Sequence, residues 1–229
     1  MRKLGVSLLL TLLAAAGPTM LAGEPAGYTL VFLKTGPQSG KLSEADNRAA
    51  FEGHFSNMQK LADEKKLLVA GPFGVVRHDD ELRGLFMLNT AKSDEAKDWA
   101  STDPATRAGL FVLEFHPLRT STDLPAVLQK DRDRENKAKA EGRVLEHTET
   151  MRAYVWLIAE DGAKARAAIA PLVEQKKVFM IADLDESRLL VLLDAPTAAK
   201  AQEQWSAAFE AAGPHQLDEW YGSNLLASP

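Results

Sequence analysis

The chain has 229 residues, 45% of them hydrophobic and 26% charged, with a formal net charge of −5. That balance fits a folded protein of one large domain or two small ones and offers nucleic acid no basic surface. There is no cysteine, which excludes disulfides, zinc-thiolate sites, thiol nucleophiles and a lipidated cysteine anchor.

Met1, Arg2 and Lys3 precede an almost wholly apolar run from Leu4 to Ala16; Gly17-Pro18 breaks it, and small residues follow at Ala22 and Gly23. Basic, apolar, small is the order of a secretory signal peptide. The run is shorter than the ~20 residues that span a bilayer as a helix. Residues 1–23 are therefore expected to be cleaved, leaving a periplasmic or secreted chain with no stable membrane span. An uncleaved anchor is the alternative.

From Tyr28 the pattern reads as a βαββαβ unit over residues 24–118. YTLVFLK at Tyr28–Lys34 is a strand. Ser43, followed by Glu44 and Asp46, starts a helix whose apolar positions are Phe51, Phe55, Met58, Leu61 and Ala62. Leu67–Ala70 and Leu82–Leu88 are strands, Ser93 caps a second helix to Ala100, Asp103-Pro104 starts one turn, and Leu110–Phe115 is the last strand.

A second unit, residues 151–229, has the same order. Strands are expected at Arg152–Ile158, Val178–Ala182, Arg188–Leu193 and Leu217–Tyr221, and helices at Ala163–Lys176 and Ala198–Ala212. EKKLLVAG at Glu64–Gly71 parallels QKKVFMIA at Gln175–Ala182. The same offset sets Met58, Leu61 and Ala62 on Ile169, Leu172 and Val173, which favours a duplication. Arg83 likewise parallels Arg188, and Trp99 parallels Trp205. Between the units, residues 119–150 read as a solvated, charged helical connector.

Each half is expected to form an antiparallel sheet with both helices on one face. Runs such as LVFL and RLLVLL ask for cover on the other face too, and the two halves can give it to each other, sheet against sheet. The fold class is α+β.

His54 lies on the apolar stripe of the first helix, three after Phe51 and four before Met58. An inward imidazole there is either a general acid or base or a core histidine bonded to backbone. Asp103 is its candidate partner. Asp before Pro is also an ordinary helix N-cap. Arg107 stands four after Asp103, placed for an ion pair or an anionic ligand.

GHFSNMQKLADEKKLLVAGPFG followed by LRGLFMLNTAKSDEAKDWASTDPATRAGLFVLEFHPL resembles the YCII-related domain. The carriers are the helix-borne His54, Gly71-Pro72 after the second strand, and Asp103-Pro104 before the last. The resemblance covers about Tyr28 to Leu118. It implies a ferredoxin-like unit that pairs into a dimeric α+β barrel, here as an intramolecular pseudo-dimer of two tandem units. It also implies a His–Asp active site at His54 and Asp103, with Gly71, Pro72, Phe73 and Arg107 as ligand-binding candidates. One member of the family is a dehydrochlorinase acting on a chlorinated hydroxyquinol. In the second half Ala165 stands where His54 would be, Ala182-Asp183 where Gly71-Pro72 would be, and Phe209-Glu210 near Asp103, so that half is a degenerate repeat.

His78-Asp79-Asp80 offers metal-type ligands, but adjacent loop residues rarely converge on one ion. His116, His147 and His215 are isolated in sequence. No phosphate loop, GxSxG elbow, HExxH or dinucleotide fingerprint is present. No cofactor and no metal is expected. Three functions remain open: a small-molecule lyase or isomerase using His54 and Asp103, a non-catalytic small-molecule binding protein, and a protein-interaction module. Oligomeric state is left open.

Overall fold

The computed structural model describes residues 26–227. The expected leader and its cleavage site lie outside the described residues.

The elements run β1 (Ala26–Thr35), α1 (Glu44–Asp63), β2 (Leu67–Pro72), β3 (Leu82–Leu88), α2 (Ser93–Ala100), α3 (Pro104–Arg107), β4 (Phe111–Thr120), α4 (Leu124–Ala140) and α5 (His147–Thr150). They continue with β5 (Met151–Ala159), α6 (Gly162–Ala168), α7 (Ala170–Glu174), β6 (Val178–Leu184), β7 (Arg188–Leu193), α8 (Ala198–Ala212), β8 (His215–Ser223) and a 3₁₀ turn at Asn224–Ala227. The protein is mixed α+β.

All eight strands join one sheet in the order β2-β3-β1-β4-β6-β7-β5-β8, with antiparallel neighbours throughout. The halves meet at β4–β6, where Leu118 opposes Leu184. The outer strands come together where Phe73 bridges Trp220, so the sheet is nearly closed.

This closure explains strands that are apolar on both faces. Tyr28, Leu30, Phe32, Leu85, Met87, Trp156, Ile158, Leu190, Leu192 and Trp220 fill the interior as one buried cluster. The alternate residues lie under helices: Val31, Leu33, Phe86 and Leu88 with Leu61 and Ala96 in the first half, Val155, Leu157, Val191 and Leu193 with Ile169, Leu172 and Phe209 in the second.

The halves share two local details. Lys65 and Lys176 both close their helix in the left-handed region, each at φ 57°. The β2–β3 and β6–β7 ladders each carry a register shift, at Leu67/Val69 and Val178/Met180.

Four local expectations change. Ser93 is the first helical residue rather than the cap, which is Lys92. The helix expected over Ala163–Lys176 breaks at Ile169, because Pro171 has no N–H to continue the ladder. β4 runs on past Phe115 to Thr120 and so reaches β6. The charged connector is helical, but it is not solvated along its whole length. Leu124 and Val127 are buried and, with Leu226 of the 3₁₀ turn, join the interior cluster and plug one end of the barrel. No helix among the described residues is long and apolar enough to cross a membrane.

Candidate functional site

Ser43 caps α1 by accepting the Asp46 N–H at 3.1 Å, with Glu44 and Asp46 in the first turn, where acids favour the helix dipole. The apolar stripe then turns His54 toward the sheet. The imidazole stacks on Phe86 with centroids 5.8 Å apart and has Phe51, Phe55 and Phe111 around it.

His54 Nδ1 lies 3.0 Å from Asp103 Oδ1. His54 is 7% exposed and Asp103 1%. Both ordinary readings of Asp103 hold at once. It is the N-cap of α3, with Oδ2 accepting the Thr106 N–H at 3.2 Å and the Thr106 hydroxyl at 2.8 Å, and it is the partner of His54. Burial pushes its carboxyl up, but bonds from His54 and Thr106 and the charge on His54 more than offset this and hold it below the usual carboxylate range. An ionised carboxylate only accepts, so His54 Nδ1 carries the shared proton. Among the described residues the other ring nitrogen, Nε2, has no hydrogen-bond partner, and it is not one of the enclosed, unsatisfied atoms. It therefore meets solvent, with its lone pair free in the neutral ring.

Two close approaches set this geometry. Gly53 faces Pro104, where a Cβ at 53 would lie 2.8 Å from the proline Cβ. Thr102 donates its hydroxyl to Asn57 Oδ1 at 3.1 Å. Together they pin the α2–α3 turn to α1.

The other candidates do not join the pair. Phe73 belongs to the barrel interior, whereas Phe86, on which His54 stacks, belongs to the helix side of the sheet; the sheet separates them. Gly71 sits at the barrel seam, where a Cβ would be 1.9 Å from Tyr221 O. Pro72 is exposed at the end of β2. Arg107 is exposed and donates from Nε to Ser101 O at 2.9 Å.

A groove of about 590 Å³ runs between α1, β2 and α4, lined by Phe55, Met58, Leu68, Leu128, Asp131 and Arg134 among others. A second hollow of about 700 Å³ shares Gln59, Leu128, Arg132 and Glu135 with it. Neither is lined by His54 or Asp103. Burial pushes the Asp131 carboxyl up, and Ser223 and Arg134 only partly counter it.

Sequence reasoning missed a second His–Asp pair. His78 in the β2–β3 loop places Nδ1 2.7 Å from Asp218 Oδ2. The only signal was an aspartate two residues before Trp220, on the inward-facing side of the last strand. His116 is not isolated either: Nε2 lies 2.7 Å from Glu114 Oε1, and Glu114 also pairs with Lys34. Among the described residues no three metal-type side chains converge.

Residues 28–116 match the model of the YCII-related domain. A search of curated proteins found no match.

Proposed function

We propose, from the premise that residues 28–116 form a YCII-related domain, that this is an exported small-molecule enzyme in which His54 moves a proton and Asp103 holds the ring. One observation carries the reading: Nδ1 is anchored at 3.0 Å on a buried, ionised carboxylate while Nε2 stays unbonded. A fixed imidazole with a free second nitrogen can take a proton and return it, and the carboxylate stabilises the imidazolium between the two steps. The phenylalanine walls suit compact aromatic or enolic substrates, phenols or enol lactones, with lyase or isomerase chemistry. The architecture behind this is an intramolecular pseudo-dimer of two ferredoxin-like units, the second a degenerate copy that supplies sheet and no His–Asp pair. The matched strand orders of the halves support it.

The test is a turnover screen of such compounds with the wild type, His54→Gln and Asp103→Asn. His54→Gln should lower turnover by about 10²–10⁴-fold with circular dichroism unchanged. Full activity in a folded His54→Gln variant would overturn the reading.

The groove between α1, β2 and α4 favours a second reading, non-catalytic ligand binding, because it is a formed hollow that His54 does not line. Ligand affinity that survives His54→Gln but falls on Leu128→Trp, with no product formed, selects it.

A further inference from the structure

The two seams of the barrel are not equivalent. At β4–β6 three residue pairs run in register from Leu118 to Thr120, and Thr120 donates its hydroxyl to Ile181 O. At the other seam Phe73, the residue just past β2, bridges Trp220 of β8. Beyond it, Gly74 N–H donates to Glu219 O at 2.6 Å and Glu219 N–H to Val76 O at 2.8 Å. Beside these two backbone bonds stand two from one residue: His78 donates its backbone N–H to Asp218 Oδ1 at 2.6 Å and brings Nδ1 to Oδ2 at 2.7 Å. Asp218 is fully buried, whereas the His78 side chain is 24% exposed. A large part of the polar closure of this seam thus passes through one solvent-reachable imidazole and one enclosed carboxyl.

We propose that His78 and Asp218 form a pH-sensitive latch on the β2–β8 seam, closed most firmly when His78 is protonated and looser when it is neutral.

The groups facing His78 are Asp218 from β8, Asp79 from its own loop and Lys34 from β1. Glu219, the neighbour of Asp218, is engaged by the Ala198 N–H, and Lys34 is paired with Asp79 and Glu114. The bond to Asp218 comes first among the causes that hold His78 above the ordinary imidazole range, with burial acting against it. The sign follows. A raised folded value means the latch contributes fully below the ordinary histidine value and is lost as pH rises through the folded one. A neutral ring still offers Nδ1–H, so the latch weakens without vanishing, and the seam gains an open population rather than coming apart.

Behind the seam lie Trp156 and Trp220, 1% and 0% exposed, with ring centroids 5.5 Å apart. Both indole Nε1 atoms are enclosed and have no hydrogen-bond partner among the described residues. Only burial shields these N–H groups from exchange, so they report directly on whether water passes the seam.

The experiment is hydrogen exchange of the full chain followed by NMR at about pH 6 and about pH 9, either side of a raised histidine value and corrected for intrinsic rates. The Trp156 and Trp220 indole N–H groups and the amides of Gly74 and Glu219 should lose about fivefold or more of their protection across that range. The Thr120 and Ala182 amides at the other seam should not follow. His78→Gln should flatten the pH dependence. Equal protection at both pH values, or the same pH dependence in His78→Gln, overturns the proposal. Should His78→Gln fail to fold, the wild type decides alone. The His78 ring and the seam amides must titrate with one midpoint above the ordinary histidine value, and separate midpoints reject the latch.

Discussion

Gly53 and Pro104 are pressed together so that a Cβ at position 53 would lie 2.8 Å from the proline Cβ and 2.9 Å from its Cγ. The contact fixes the spacing of α1 and α3, and the His54–Asp103 bond spans the same gap, one residue after Gly53 and one residue before Pro104. In Gly53→Ala two effects oppose each other. Alanine gains about 1 kcal/mol over glycine in a helix interior, while forcing a methyl into a filled contact costs about 1–3 kcal/mol. The four-residue α3 is the weaker element and moves first. We expect a net loss of about 1 kcal/mol and a weakened His54 Nδ1 proton resonance. A more stable variant that keeps that resonance would show the helices are not held apart by contact at this point.

Asp103 serves two ends at once, and its substitution should cost accordingly. Removing an N-cap side chain costs about 0.5–2 kcal/mol, and stranding a buried donor adds about 1–3 kcal/mol. Asp103→Ala should therefore lose more than Asp123→Ala, which removes only a cap at α4. The pH dependence has a definite sign. Asp103 is held below the ordinary carboxylate range, so its contribution is present above that range and fades as pH falls through the folded value. The stability gap between wild type and Asp103→Ala, from urea midpoints, should be widest near neutrality and shrink below about pH 4. A gap that grows on acidification contradicts this arrangement.

The His54–Asp103 pair was legible because each residue carried a local signal, a polar residue on an apolar helical stripe and an Asp-Pro step. The βαββαβ order was legible from period alone. Asp218 was not, because its partner is 140 positions away and the seam that joins them exists only after the sheet closes. The break at Ile169 was not legible either, because the apolar spacing of Ile169, Leu172 and Val173 continues across it. The plug was hidden by composition: α4 is rich in Lys, Arg, Asp and Glu, and six charges in a row from Lys130 to Glu135 outweigh one buried Leu124. Phe73 was grouped with His54 as a ligand-binding candidate, yet it faces the barrel interior; alternation in a short strand ending in Gly-Pro does not say which face is the interior.

Gly71 tests the closure of the barrel. A methyl there would fall 1.9 Å from Tyr221 O and 2.8 Å from the Trp220 ring. Backbone cannot yield as a side-chain tip does, so Gly71→Ala must push β2 from β8. Overpacking of this kind costs about 1–3 kcal/mol or more. The loss should appear as a lower urea midpoint and as faster exchange at Gly74. Unchanged stability would mean that the two outer strands do not meet.

Leu124 separates two views of the segment between the halves. A solvated connector loses within about 0.5 kcal/mol when an apolar side chain is trimmed. Leu124 is instead fully buried in the interior cluster with Val127, Tyr28 and Leu226, so Leu124→Ala should cost about 2–5 kcal/mol. The loss should be cooperative: one unfolding transition, shifted as a whole, because the plug touches the interior cluster to which both halves contribute. Asn136→Ala on the same helix serves as the control and should change little. If Leu124→Ala melts α4 early and leaves the remaining transition in place, the helix is an appendage and the barrel end is closed by something else.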